Sequence, residues 1–226
     1  MAAHVGVKRL MVRFVRHDAV VLNAMLDAAF ARRVAEFELE FSDFGVDNVP
    51  ALERLLQCGS LSTLKVQGLG SIPDDSHAGQ EAFIAALRGN TSLTDVTLTA
   101  GAFLPDMLHD PELGTAMIEA LQTLPALRHL SLYFDATFWG AGAGGRALDA
   151  LLATAPSLRS LDVPLCSLGD DGLAALLDGL AANTQLRELK CDRNGASEVF
   201  QRERLVPALA ALAARGAPAV AQDPQM

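Results

Sequence analysis

The residue types most used for chemistry are scattered along this chain. Histidine stands at 4, 17, 77, 109 and 129. A hydrolytic relay needs an imidazole bonded to an oriented carboxylate, with a nucleophile in reach. His17–Asp18 and His109–Asp110 supply adjacency in sequence and nothing more. Asp74, Asp75, Ser76 and His77 have the composition of a cation loop without the spacing of an EF-hand or a zinc site. Cys58, Cys166 and Cys191 are odd in number and far apart, with no C-x-x-C, so buried reduced thiols are expected rather than a disulfide framework. GAGAGG, residues 140–145, matches G-x-G-x-x-G, and Asp162 follows at a distance suited to a ribose-binding carboxylate. In a dinucleotide site, however, the glycines come directly off a strand so that a helix N-terminus meets the pyrophosphate. Here the strand pattern ends at Leu132 and further residues intervene, so no catalytic residue, cofactor or metal site is expected.

The elements that carry these residues form a repeat. The stretch 158–185 holds one whole unit. Leu158, Leu161 and Val163 make L-x-x-L-x-L, a short strand with one apolar side. Cys166 and Leu168 follow in a turn, and Gly169-Asp170-Asp171 opens a helix. Leu173, Leu176, Leu177 and Leu180 fall at i, i+3, i+4 and i+7, one apolar helix stripe. The same anchor begins at residues 7, 34, 61, 93, 127, 158 and 186. Helical stripes follow, such as Leu22, Met25, Leu26 and Ala29, or Leu52, Leu55 and Leu56, or Leu148, Leu151, Leu152 and Ala155. Near-regular recurrence of a strand-plus-helix unit predicts a solenoid in which each unit packs on its neighbours.

The pattern resembles leucine-rich repeats of the ribonuclease-inhibitor-like type, also found in nucleotide-binding immune receptors and in bacterial effectors of the GALA type. The resemblance implies an α/β horseshoe of about seven strand–helix repeats, with a parallel sheet on the concave side and helices on the convex side. It also implies a non-enzymatic module that binds a protein partner, with the alanine-rich GLAALLDGLAAN pointing to a bacterial effector delivered to a host cell. No F-box, which a ubiquitin-ligase link would need, is evident. Cys166 stands where such repeats carry Asn or Cys, and Asn194 holds the matching place in the next unit; both side chains are expected to bond loop backbone.

Residues 1–6 read as a leader, 7–215 as a single repeat domain and 216–226, with Gly and two Pro, as a disordered tail. The last helix is expected over 197–214, with Pro207 kinking it or marking a late start. The first unit is expected to cap itself, unless a partner or a preceding domain covers it. At 226 residues and 50% hydrophobic the chain can bury a large core. A net charge of −9 disfavours nucleic acid as a general partner. No apolar run has the length of a signal peptide or a membrane span, so a cytoplasmic protein, or one delivered without a cleavable signal, is expected.

Strand alternation identifies the outward positions. The candidate partner-binding residues are Glu38, Lys65, Asp95, Thr97, His129, Ser131, Tyr133, Phe138, Trp139, Asp162, Glu188 and Lys190. Tyr133 and Trp139 are the chain's only Tyr and Trp, and both types are enriched at interface hot spots. Phe138 and Trp139 either face the partner or fold back over their own loop. Arg9 and Arg13 are expected beside Glu36 and Glu40 on adjacent strands, neutralising them, while Glu38 opposes Met11 and remains unpaired. Longer stretches after the third to fifth anchors are either binding loops or drift in a tolerant position. The chain is expected to be a monomer or weak homodimer. An enzyme inhibitor acting by active-site occlusion and a self-associating structural protein are the alternatives.

Overall fold

The computed structural model describes residues 7–13, 19–40, 46–67, 78–99, 111–133 and 143–216. Strands and helices alternate along it: β1 (Arg9–Arg13), α1 (Ala19–Ala31), β2 (Glu36–Glu40), α2 (Val49–Gln57), β3 (Thr63–Gln67), α3 (Ala78–Leu87) and β4 (Asp95–Thr99). There follow α4 (Pro111–Gln122), β5 (His129–Tyr133), α5 (Ala143–Thr154), β6 (Ser160–Asp162), α6 (Gly169–Ala182) and β7 (Glu188–Lys190). The strands form one open parallel sheet in the order β1-β2-β3-β4-β5-β6-β7. Sequential order with a helix after each strand is a solenoid-like arrangement, each unit touching mainly its neighbours.

Each strand coincides with an anchor. In the second to seventh units every anchor residue is buried, from Val34, Phe37 and Leu39 to Leu186, Leu189 and Cys191. They join Leu22, Leu55, Leu87, Met117, Leu151 and Leu176 from the helices in one apolar core. Of the first unit's anchor residues only Val12 is fully buried, while Val7 is 43% exposed and Leu10 is partly buried. A terminal unit has a packing neighbour on one side only among the described residues, and that accounts for the difference.

Helices α5 and α6 make the closest packing. A Cβ at Gly145 would lie 2.4 Å from the Gly172 carbonyl oxygen, so only glycine lets these two backbones approach. Two buried asparagines tie units together at the other end of the helices. The Asn183 amide donates to Leu152 O at 2.7 Å, and its oxygen accepts from Gln185 N (2.8 Å) and Leu186 N (2.7 Å). Asn90 repeats this with Leu56 O (2.6 Å), Ser92 N (2.9 Å) and Leu93 N (2.8 Å). Each side chain satisfies the backbone of its own turn and of the preceding helix.

The turns after β6 and β7 share one backbone form. Leu165 and Ser167 flank Cys166 with positive φ, and Arg193 and Gly195 flank Asn194 likewise. Cys166 directs its sulfur at Pro164 O (3.4 Å) and Leu132 O (3.5 Å). Asn194 donates to Val163 O (2.7 Å) and Cys191 O (2.9 Å). These are the loop-backbone bonds expected of the two positions.

The C-terminal helix begins at Glu198 with Ser197 as its cap, bonded both to Phe200 N (3.1 Å) and to the Asp170 carboxylate (2.7 Å). The Ser197 hydroxyl and the Ser197 backbone N–H both donate to the Asp170 carboxylate and hold its carboxyl below its ordinary range. Pro207 does not delay the helix, which begins at Glu198. The turns at Gln201–Leu205 widen to π geometry, with Val206 N reaching Gln201 O, and α-helix resumes over Val206–Gly216. Widening removes the clash between the proline ring and the carbonyl four residues earlier. Gly216, expected in the tail, is the last residue of this helix; 1–6 and 217–226 lie outside the described residues. No helix among the described residues is long and apolar enough to cross a membrane.

Candidate partner-binding face

Parallel pairing in register turns the outward strand positions into rows across the sheet face opposite the helices. One row reads Arg9, Glu36, Thr63, Asp95, His129, Ser160 and Glu188. The next reads Met11, Glu38, Lys65, Thr97, Ser131, Asp162 and Lys190. A shorter third places Arg13, Glu40 and Gln67 at one end and Thr99 with Tyr133 further along. Ten of the twelve candidates fall on this face; Phe138 and Trp139 lie outside the described residues.

At the β1–β2 end the charges pair among themselves. Arg13 Nε meets Glu40 Oε2 at 2.5 Å, and Arg9 Nε lies 3.7 Å from Glu36 Oε2. Glu38 departs from expectation. Its Cα does oppose Met11, but the Arg9 guanidinium reaches across to its carboxylate, and Glu38 is only 6% exposed. Strand neighbours diagonal to one another lie within reach of a long side chain, which the opposite-position rule leaves out. Burial disfavours the ionised form of Glu38; the bond from Arg9 and the Lys65 charge help to outweigh it and hold its pKa down. Glu38 is therefore a poor first contact for a partner.

The middle of the face is hydroxylic. Thr63, Thr97, Thr99 and Ser131 are half-buried around Lys65, and Tyr133 is 39% exposed. At the far end Lys190 Nζ pairs with Glu188 Oε1 at 3.0 Å, and Ser160 donates to the other carboxylate oxygen at 3.0 Å. These two bonds keep Glu188 ionised below its usual range.

Asp95, His129 and Ser160 are in-register neighbours on β4, β5 and β6, the residue types of a hydrolytic triad in spatial order. The required links run elsewhere: Asp95 accepts from the Thr94 hydroxyl at 2.5 Å, and the Ser160 hydroxyl donates to Glu188. An activated serine needs its hydroxyl on the imidazole. No group of three metal-ligating side chains occurs among the described residues. Gly145, the last glycine of the nucleotide-like fingerprint, is occupied in helix packing. Cys191 is buried, which pushes its thiol up to about 11, with Asp192 adding to the effect.

Sequence reasoning missed the structural asparagines at 90 and 183. The signal was present as Asn-Thr-x-Leu, found in NTSL and NTQL three residues before two of the anchors. No protein-family model matches the chain, and no curated protein sequence does either.

Proposed function

We propose that this chain is a leucine-rich repeat module of the ribonuclease-inhibitor-like type, and that it binds a protein partner on the concave face of its sheet. The observation that carries this reading is the in-register face itself. Seven parallel strands present polar and aromatic side chains in continuous rows, while the anchors and helices bury the apolar side. A rigid sheet holding many side chains at fixed spacing suits a broad protein surface better than a small substrate. The unmade links around Ser160 and His129 favour binding over catalysis. The contacts assigned are Lys65, Asp95, Thr97, His129, Ser131, Tyr133, Asp162, Glu188 and Lys190, with Glu38 in a supporting role. By the same resemblance, the partner belongs to a host cell that a bacterial effector enters.

The test is affinity capture from plant-cell and bacterial lysates, comparing the native chain with a Lys65→Glu, Thr97→Lys, Ser131→Lys variant whose folding is checked by circular dichroism. A protein retained by the native chain and lost by the variant supports the reading. Equal retention by both moves the site to the helices or the longer connecting stretches.

Self-association is a second reading with its own observation. At the β1–α1 end Met11, Val20 and Phe30 are 38%, 78% and 41% exposed. Light scattering across a concentration series tests it: a monomer throughout, at tens of micromolar, removes it.

A further inference from the structure

Charge is unevenly used across the sheet face. On β1–β3 the outward positions carry Arg9, Arg13 and Lys65 against Glu36, Glu38 and Glu40, three cations and three anions. The arginines and glutamates there are already paired, with Glu38 and Glu40 buried. On β4–β7 and the residues just after them, Asp95, Asp162, Glu188 and Asp192 stand against Lys190 on the face, with Arg193 in the turn that follows Asp192. Glu188 holds Lys190, and Thr94 serves Asp95. Asp162 and Asp192 neither accept a side-chain hydrogen bond nor form an ion pair among the described residues.

The local shape matters as much as the charge. Leu165 N bonds Asp192 O at 3.0 Å, so the parallel ladder runs on past the ends of β6 and β7. Alternation then brings Pro164 and Asp192 to the same face as Asp162 and Lys190. Counting on from Ser131↔Asp162 and Asp162↔Lys190, Tyr133, Pro164 and Asp192 share one row. With Pro164 between them, Tyr133 and Asp192 stand two strand spacings apart, roughly 10 Å. Asp162 lies on the adjoining row. The two rows thus bring one aromatic side chain and two carboxylates to one part of the face.

Resting on the concave-face reading above, we propose that the β4–β7 half of the sheet receives an arginine-bearing segment of the partner protein, with the guanidinium against Tyr133 and between Asp162 and Asp192. Arginine fits better than lysine because its planar fork can serve two carboxylates while its face stacks on the ring. A basic segment also meets the half of the face where the negative charge is unspent, and is offered no such charge on β1–β3. Desolvation of Asp162, reinforced by Asp192 and Glu188 and opposed by Lys190, raises its pKa, so an arriving cation relieves an existing strain.

The test titrates the isotope-labelled full chain with the acetylated, amidated peptide Gly-Ser-Arg-Ser-Gly, and with its lysine and citrulline counterparts, following backbone amides by NMR. Citrulline keeps the shape of arginine and removes its charge. The expected result is saturable shifts centred on Ser131–Tyr133, Leu161–Val163 and Lys190–Asp192, about threefold or more weaker with lysine and absent with citrulline. Asp162→Asn and Asp192→Asn each weaken binding by about threefold to tenfold, and Glu36→Gln leaves it unchanged. Equal binding of arginine and citrulline peptides, or shifts centred on β1–β3 or on the helices, overturns the proposal. The captured partner separates this failure from that of the parent reading. If it is lost with Thr97→Lys and Ser131→Lys but kept by Asp162→Asn with Asp192→Asn, the face binds protein without an arginine seat. If it is kept by all four variants, both readings fall.

Discussion

Replacing Asn183 with alanine tests what joins successive units. Its side chain makes three bonds, to Leu152 O, Gln185 N and Leu186 N, at 2.7–2.8 Å. Leu152 and Leu186 are 2% and 0% exposed, so their backbone groups have no route to water once the amide is gone. Gln185 is partly exposed and recovers a solvent bond. Two stranded buried groups at about 1–3 kcal/mol each give a loss of about 2–6 kcal/mol. That is a large share of the roughly 5–15 kcal/mol typical of a domain. With a urea slope near 3 kcal/mol/M, the midpoint falls by roughly 0.7–2 M. Asn183→Asp keeps both acceptor bonds but sets an oxygen against Leu152 O, so it loses at least as much at pH 7 and less once the carboxyl is protonated. Thr184→Ala, on the exposed neighbour, is the control. A loss for Asn183→Ala under about 1 kcal/mol, or equal to that of Thr184→Ala, would refute the reasoning.

Other outcomes follow from the same geometry. Gly145→Ala forces a methyl group into the Gly172 backbone, and the separation of α5 and α6 costs about 2 kcal/mol or more, read as a drop in thermal midpoint of roughly 5 °C. In native protein a thiol reagent at pH 8 labels Cys58 first and leaves Cys166 and Cys191 unreacted, since both are buried and the Cys191 thiol titrates near 11; all three react in denaturant. Asp162→Asn is expected to be neutral to stabilising at pH 7. A carboxyl raised in the folded state adds stability below its unfolded value and loses it as pH rises through the folded one, so the variant's advantage disappears below the ordinary aspartate value of 3.8. Urea midpoints at pH 7 and pH 3 check this, and a destabilised variant at pH 7 contradicts it.

Much of the fold was legible because its signals are local and repeated. An L-x-x-L-x-L anchor needs only strand alternation to be recognised, and seven of them in near-register predict seven neighbouring parallel strands. Equal register followed, so Arg9 opposite Glu36 and Met11 opposite Glu38 were foreseeable. The fate of Glu38 was not. Cα register says which residues are neighbours, whereas a guanidinium on three methylenes chooses among several carboxylates by reach and desolvation. Pro207 shows the same limit, because the choice between kink, late start and π turn depends on what the helix must still cover.

The sequence by itself determined the alternation of strand and helix, the apolar side of each, and the outward row positions, because periods of 2 and 3.6 are written in residue order. It also placed Cys166 and Asn194 at equivalent turns. Only the tertiary structure decided which outward charges are already used. The arginine and glutamate side chains of β1 and β2 close on one another, and Lys190 closes on Glu188, while Asp162 and Asp192 form no ion pair among the described residues. It alone explained Gly145 by the backbone of Gly172, and Asn90 and Asn183 by carbonyls in the preceding unit. Such contacts join residues about 30 apart through side-chain reach and close packing, which residue order does not encode locally.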